Sequence, residues 1–593
     1  MNFIYLVIFF AFVFSFSLLS ERKFEENLIV CTNIVVFFLY FLGLYLSFKW
    51  IWLFLALVSL GVVGREIIVY KKPVGGILEK IIANNISVGI VIFFVVCLML
   101  YLCNIDRFGT IWDEWDHWMY YVKSMYISGR IAWAAQDYPP SIMLVEWLGM
   151  KFYGNWNEGI LYTSFYCYMC AIILPFCKRA TKREILFWPI VLILYVSIIN
   201  VSLYAMLDTS PIIGVLSGYV MWAIWDNEKV DWFYYLRISV TLFIIILAKG
   251  LMIVIVFLLA GLLIATVIFK NRREKINCAI SLIPPIAGYL LWKLYINMNK
   301  FDSRFTKGST YVMKQFLKGE YRLPDLFPEF RESFITVFLW RPISNFSYLQ
   351  SEKAVVPIST LAFLLIMICA LVIWNIKDKN NIKKQIFTVF IVIIFLTYIF
   401  VFLVAMVTLF AAELTSYVRV PYLASLYSRY TAPSFVGIWT FFGYLIFSSE
   451  LWAKNKATIL FSLFLFINWN SVEWLTPINN EYQGRISDNK SCIPIEEKTI
   501  MNKLYEAGGP TRILYYYDEE KTKTINSINY RYYALPHSVN FYSGDIDELK
   551  YTVGFYGSEY IYFNFEEPLL YENGLYRIVK NDIGELSFFK INK

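Results

Sequence analysis

The sequence has little charge. Asp, Glu, Lys and Arg make up 17% of its 593 residues, whereas 59% are hydrophobic. A soluble domain has about 25% charged and roughly 45–50% apolar residues, so this composition excludes an ordinary soluble protein. The hydrophobic residues form blocks long enough to cross the roughly 30 Å hydrocarbon core of a bilayer. The composition therefore predicts a polytopic α-helical membrane protein that is surrounded by lipid.

Histidine is scarce as well, since only His117 and His537 occur, and this excludes a histidine-rich metal centre. The nine cysteines show no disulfide framework or zinc-binding spacing. The sequence also lacks a His-Glu-x-x-His motif, a phosphate-binding Gly-rich loop and a dinucleotide-binding fingerprint. These absences disfavour an ATP-driven pump and a soluble nucleotide-sugar enzyme. The net charge of +8 comes from short clusters rather than a basic stripe, so we expect no nucleic-acid partner.

About fourteen apolar blocks are predicted to be transmembrane helices. They lie near residues 2–20, 28–48, 50–64, 85–105, 159–177, 185–206, 210–225, 233–247, 251–269, 277–297, 356–376, 386–412, 431–449 and 457–470. Lys and Arg accumulate in cytoplasmic loops. With the N-terminus placed outside, every large basic cluster falls inside, including those at 178–183, 270–275 and 377–384. We therefore predict a multi-pass protein of the cell (plasma) membrane with both termini outside.

This topology divides the chain into six regions, and the two long loops and the tail are extracytoplasmic. The tail is predicted to be a small α/β domain, because strand-like runs occur at 512–517, 529–534, 560–565, 575–579 and 586–591. The regions are transmembrane helices at 1–105, a first loop with an acidic motif at 106–158, helices at 159–297, a second loop with an interfacial helix at 298–355, helices at 356–470, and the tail at 471–593.

The first loop contains the most informative motif. Asp113, Glu114, Asp116 and His117 lie among three tryptophans, directly after the fourth block. On an α-helix, Asp113, Asp116 and His117 would share one face. Ionisable groups at a membrane surface are candidates for function, and a carboxylate is suited to general-base catalysis. The alternative is a solvated helix with an aromatic belt, in which His117 is structural. We interpret His537, in the tail, as structural.

The acidic motif in the first outer loop, the many spans and the outer C-terminal domain together resemble the GT-C glycosyltransferases. These integral membrane enzymes take a sugar from a polyprenyl-phosphate carrier. Two segments are similar to the W-D-E-x-x-H-W and Y-P-P patterns of bacterial cell-envelope members: Trp112-Asp113-Glu114 with His117-Trp118, and Asp137-Tyr138-Pro139-Pro140. Two features depart from the family pattern. Three predicted spans precede the one leading into the motif, where one is common, and Ser141 stands where glycine usually follows the proline pair.

The resemblance implies a glycosyltransferase that moves a sugar from a polyprenyl-phosphate donor to a hydroxyl of a cell-envelope glycan or lipid. An acid of the loop would deprotonate the acceptor, and the reaction would invert the anomeric carbon. Asp113 is our first choice for this base and Asp116 the second. Glu114 would orient the acceptor, and His117 and Tyr138 would contact substrate. Asp113, Glu114 and His117 also suggest a divalent-ion site, for Mg²⁺ or Mn²⁺.

Charged residues at the outer ends of other spans are candidates for binding the anionic leaving group. Lys249 interrupts an apolar run, and Arg429-Tyr430 precedes the thirteenth block and resembles an Arg-Tyr pair often seen there in GT-C enzymes. Both cations have a simpler interpretation as snorkelling or boundary residues. Asp208 either contacts substrate or caps the helix that begins near Ser210, because aspartate is favoured at that position.

Two other functions stay open at this point. A flippase or transporter of lipid-linked saccharide would have polar residues along the middle of many spans, whereas most blocks here are uniformly apolar. An envelope polysaccharide polymerase or ligase would be expected to place arginines and a histidine in a large late loop. The 298–355 loop has arginines but no histidine.

Overall fold

The computed structural model is mainly helical, and its helices follow the apolar blocks of the sequence. It describes residues 2–109, 113–131, 138–199, 203–204, 206–226, 230–299, 314–315, 318–341, 358–376, 381–408, 410, 414–465, 499, 501, 503–504, 511–517, 534–535, 538–543, 548–549, 552–553, 558–564, 571–580 and 586–591. These residues belong to two compact units, one formed by 1–105 and 135–477 and the other by 106–134 and 478–593.

The described helices are α1 (Phe3–Ser20), α2 (Phe24–Tyr45), α3 (Trp50–Ile68), α4 (Val74–Asn85), α5 (Val88–Asn104), α6 (Met119–Ser128), α7 (Ser141–Tyr153), α8 (Glu158–Ile173), α9 (Phe187–Leu194), α10 (Thr209–Trp225), α11 (Trp232–Ile246), α12 (Ile253–Val267), α13 (Arg272–Met298), α14 (Phe327–Trp340), α15 (Thr360–Ile376), α16 (Ile382–Thr408), α17 (Val420–Ser448) and α18 (Glu450–Leu465). A single helical turn, Leu414–Tyr417, precedes α17.

The prediction of a multi-pass membrane protein is confirmed. In the described part of the chain, eight helices are long and apolar enough to cross a membrane, and the bent pair α4–α5 raises this to nine. Three shorter apolar helices, α10, α11 and α15, accompany them. The amphipathic helix expected in the 298–355 loop is present as α14, whose Phe330 and Val337 are buried.

The sixth apolar block, 185–206, was predicted to be one transmembrane helix, and the structure corrects this, because its helix is interrupted. Its regular part, α9, ends at Leu194 and is followed by a short 3-10 turn. Irregular backbone is tolerated in a membrane protein when neighbouring groups satisfy its hydrogen bonds. Here the Tyr204 hydroxyl donates to the Ile193 carbonyl, and the Trp439 indole N–H donates to the Tyr195 carbonyl at 3.0 Å.

The loops predicted to be cytoplasmic meet at one end of the first unit. Arg22 pairs with Asp231 at 3.1 Å, and Lys178 pairs with Glu26 at 2.7 Å. Lys383 donates to the Trp225 carbonyl at 2.5 Å. These contacts join the first, third, fourth and sixth of those loops, so the charge pattern correctly grouped them at one end of the bundle.

Their side of the membrane is tested by cysteine labelling in intact cells. We expect Arg272→Cys, at the start of α13, to resist a membrane-impermeant maleimide until the cells are permeabilised, because the basic loop faces the cytoplasm. The matched control is Arg419→Cys in a loop predicted to be outside, where Arg419 is exposed. Labelling of position 272 before permeabilisation would reverse the predicted orientation.

In its described residues, the second unit contains a five-stranded sheet built from β1 (Arg512–Tyr517), β2 (Ser538–Tyr542), β3 (Tyr560–Asn564), β4 (Gly574–Lys580) and β5 (Leu586–Lys590). The strand order is β2-β1-β3-β4-β5, with β1 parallel to β2 and β3 and the remaining pairs antiparallel. Apolar side chains cover both faces of β1, which is why it reads as a continuous Ile-Leu-Tyr run. This confirms the small C-terminal sheet domain.

Four of the five strand-like runs of the tail are strands. The fifth run, 529–534, is described only at Ala534, which is helical, and its other residues lie outside the described part of the chain. The strand β2 was not predicted. Among the strands that the structure describes it lies at an edge of the sheet, with a strand neighbour on one side, and the sequence signal of such a strand is correspondingly weak.

Candidate functional site

The acidic motif forms the start of a helix, but not of an ordinary one. Residues Glu114–Trp118 adopt a π-helical turn that leads into α6. The prediction of one shared face assumed α-helical spacing, so it needs correction: the wider turn changes the angular offset between Asp113 and His117. Glu114 is fully buried, whereas Asp113 and His117 are partly exposed. Single π turns are frequent at functional sites.

The structure describes only part of the set of residues that the sequence singled out. The side chain of Asp116 and all of Trp112, Asp137 and His537 lie outside the described part of the chain. Within the described residues, no group of three His, Cys, Asp or Glu side chains is placed to hold a metal ion. The divalent-ion site suggested for Asp113, Glu114 and His117 stays a prediction.

Asp208 caps a helix, which is one of the two roles that the sequence left open, and it also pairs with an arginine. Its Oδ1 accepts the Ser210 backbone N–H at 3.0 Å and the Ser210 hydroxyl at 2.9 Å, which caps the N-terminus of α10. Its other oxygen, Oδ2, lies 3.6 Å from Nε of Arg429 on α17. Asp208 is only 6% exposed, and a charged group buried to this degree requires such partners.

Lys249 joins the same group from the turn between α11 and α12. Its ammonium donates to the Ser210 hydroxyl oxygen at 3.2 Å and lies 4.9 Å from the centre of the Tyr430 ring. A cation above an aromatic face is attracted by the ring quadrupole. Lys249 is buried, so the snorkelling interpretation, which would leave its ammonium in water, does not describe it.

We call Asp208, Ser210, Lys249, Arg429 and Tyr430 the cation cluster. Four of these five residues were proposed from the sequence as substrate-binding residues, and the structure brings them together. Ser210 is the addition, and its hydroxyl links the carboxylate to the ammonium because it donates to one and accepts from the other. The cluster lies at the end of the bundle opposite to the paired basic loops.

Small residues explain why α10 and α17 bring Asp208 and Arg429 together. A Cβ atom on Gly218 would lie 2.6 Å from the Gly437 carbonyl oxygen, and one on Gly214 would lie 2.7 Å from Val436 Cβ. Gly214 and Gly218 form a Gly-x-x-x-Gly motif, which allows two helices to approach closely within a membrane. Sequence reasoning missed this motif, although it was visible and would have identified α10 as one half of a tight helix pair.

This packing gives a testable prediction. We expect Gly218→Leu to separate α10 from α17 and to weaken the Asp208–Arg429 pair, because its side chain cannot fit against the Gly437 backbone. Thermal unfolding in detergent should shift to lower temperature, and a large-for-small change in a tight core costs about 1–3 kcal/mol. The matched control is Gly61→Leu on α3, where nothing lies within 4 Å of the added atom. Equal melting temperatures for both variants would contradict the role of the glycine contact.

The segment after Tyr138 is attached to the same end of the bundle. The Ser141 hydroxyl donates to the Ile244 carbonyl at 2.8 Å, and the Ser141 N–H donates to the Leu247 carbonyl at 2.9 Å. Ser141 thus ties the start of α7 to the last turn of α11, two residues before Lys249. Glycine, which the family pattern has here, would lose the hydroxyl contact.

Comparisons with known proteins assign no relative to this chain. No protein-family model matches the sequence, and neither a curated protein nor a solved structure shows significant similarity to it.

Proposed function

We propose that this protein is a membrane glycosyltransferase of the GT-C type with about fourteen spans. It moves a sugar from a polyprenyl-phosphate donor to a hydroxyl of a cell-envelope glycan or lipid, on the outer face of the plasma membrane. The observation that carries the proposal is the cation cluster: a buried lysine and a largely buried arginine lie at one end of a membrane helix bundle.

The cluster has the chemistry that an anionic leaving group requires. A guanidinium binds phosphate oxygens through directed N–H groups, and an ammonium adds a second positive charge. Preorganised cations of this kind stabilise charge that develops in a transition state. Asp208 and Ser210 hold both cations in place before a ligand arrives. A phosphate on a lipid carrier would reach a membrane-end site directly from the bilayer.

The reaction would then be a single displacement. An acceptor hydroxyl oxygen attacks the anomeric carbon of the sugar, and the bond between that carbon and the phosphate oxygen breaks. The acceptor proton passes to the carboxylate of Asp113, and polyprenyl phosphate leaves with the electron pair. One displacement inverts the anomeric configuration. No general acid is needed, because a phosphate is already a stable anion.

The proposal is tested by measuring which lipid-linked sugar is consumed by the purified protein. The protein is reconstituted in lipid vesicles with a panel of polyprenyl-phosphate sugars and an extract of envelope glycans, and released polyprenyl phosphate is measured. We expect release from one donor, dependent on added acceptor. Movement of the intact donor across the vesicle membrane without release would instead support a flippase. Release only from polyprenyl-diphosphate-linked chains would support a polymerase or ligase.

A further inference from the structure

The turn that carries Lys249 is held at its two ends rather than at its apex. It joins α11 to α12 through residues 247–252, and Lys249 has an extended backbone there, with φ −160° and ψ 145°. Gly250, at the apex, is exposed, and a Cβ atom on it would meet nothing within 4 Å in the described part of the chain. Packing at the apex therefore does not fix this backbone, and contacts at the ends have to do so.

Ser141, the first residue of α7, holds the end of the turn that follows α11. It is 1% exposed. Its hydroxyl donates to the Ile244 carbonyl at 2.8 Å, and its backbone N–H donates to the Leu247 carbonyl at 2.9 Å. The last four carbonyl groups of an α-helix lack partners within that helix, and the Ile244 carbonyl is one of them. One serine thus bonds two carbonyl groups about one turn apart, which fixes both the position and the direction of the chain as it enters the turn.

The other end of the turn is held from α16. The Tyr398 hydroxyl donates to Sδ of Met252 at 3.5 Å, and both residues are 5% exposed. The Met252 N–H donates to the Lys249 carbonyl at 3.0 Å, which closes the short 3-10 turn after the lysine. Because a thioether is a weak acceptor, we expect this contact to contribute less than the two that Ser141 makes.

The position of this backbone determines where the Lys249 ammonium lies. The ammonium donates to the Ser210 hydroxyl oxygen at 3.2 Å and lies 4.9 Å from the centre of the Tyr430 ring. A lysine carries its charge on a flexible four-carbon stem, so the side chain alone cannot place it accurately. An error of about 1 Å in the placement of a catalytic group can lower a rate about 10²-fold.

We propose that Ser141 is a positioning residue for the donor phosphate, because its two hydrogen bonds hold the backbone that presents the Lys249 ammonium to the leaving group. This rests on the proposed function, in which that ammonium meets the phosphate. Ser141 acts through Lys249 and does not bind the donor itself. It belongs to the first predicted loop, 106–158, so the loop that contains the acidic motif also sets the phosphate end of the site.

The experiment measures the affinity of the purified full-length protein for polyprenyl phosphate, and hydrogen–deuterium exchange of segment 244–252 without ligand. Ser141→Ala removes the hydroxyl and keeps the backbone N–H. We expect it to bind polyprenyl phosphate about 3- to 10-fold more weakly, as for the loss of one neutral hydrogen bond, and its segment 244–252 to exchange faster. In a Lys249→Ala background the same change should weaken binding by no more than about twofold, because coupled residues are not additive.

The matched control is Ser59→Ala. Ser59 is a buried serine of α3 whose hydroxyl donates to the Leu55 carbonyl at 2.7 Å, so its loss should change neither measurement. If Ser141→Ala binds polyprenyl phosphate as tightly as wild type, even with faster exchange, the serine is structural and the positioning role is wrong. Equal weakening with and without Lys249 would also overturn it. If wild type does not bind polyprenyl phosphate, the proposed function fails, and the positioning role fails with it.

Discussion

Asp113→Asn is expected to abolish sugar transfer while leaving folding and donor binding nearly intact. Asparagine keeps the shape of aspartate and can still form hydrogen bonds, but it cannot accept a proton at neutral pH. Loss of a general base typically lowers the rate by about 10²–10⁴-fold. The measurement is kcat with saturating donor and acceptor, together with the affinity for polyprenyl phosphate, which should not change.

The matched control is Asp106→Asn, an exposed aspartate of the same loop, which should retain full activity. Asp116→Asn should lower the rate of sugar transfer less than Asp113→Asn does. Glu114→Gln should impair placement of the acceptor, so its effect on the rate should depend on acceptor concentration. If Asp113→Asn kept its activity and Asp116→Asn lost it, the base would be Asp116. If both variants stayed active, the loop would not be the catalytic centre, and the family resemblance would be misleading.

Arg429→Ala and Lys249→Ala are expected to cause the second large loss. Each removes one of the two cations that would meet the leaving phosphate, and the loss of one such group lowers kcat by about 10²–10³-fold. The KM for the donor should rise, whereas the KM for the acceptor should stay within about twofold of the wild-type value.

Arg419→Ala is the matched control, because Arg419 is an exposed arginine at the start of the same helix. Arg429→Lys should restore part of the loss, since it keeps the charge but not the paired N–H groups. If both alanine variants kept the wild-type kcat and KM for donor, Lys249 and Arg429 would be boundary residues, and the phosphate site would lie elsewhere.

The sequence predicted the end of the bundle at which the charged residues meet, but not their contacts. Lys and Arg patterning placed Lys249, Arg429 and Asp208 on one face, because hydropathy and charge report position along a span. Their convergence depends on the rotation of each helix and on helix pairing, which are set by packing. Gly214 and Gly218 determine that pairing for α10, and their effect depends on the small residue that faces them from α17.

Apolarity also says little about backbone shape. The block at 185–206 is as apolar as a regular span, yet its helix ends at Leu194, and the Trp439 indole from α17 satisfies the Tyr195 carbonyl just beyond that point. The acidic motif shows the same limit. The shared-face prediction assumed an α-helix, but a π turn cannot be distinguished from an α turn by composition, since both accept the same residue types.

The pairing of α10 with α17 also determines when the cation cluster can form during synthesis of the chain. Asp208 and Arg429 are more than two hundred residues apart in the chain, and ribosomes add about 5–20 residues per second, which gives a delay of roughly 10–40 s. For most of that interval both Asp208 and Lys249 are already made, but Arg429 is not. In the proposed function, a nascent chain therefore cannot bind its donor through both cations before α17 has entered the membrane. A product truncated ahead of that helix would leave the glycine face of α10 without the helix that packs against it.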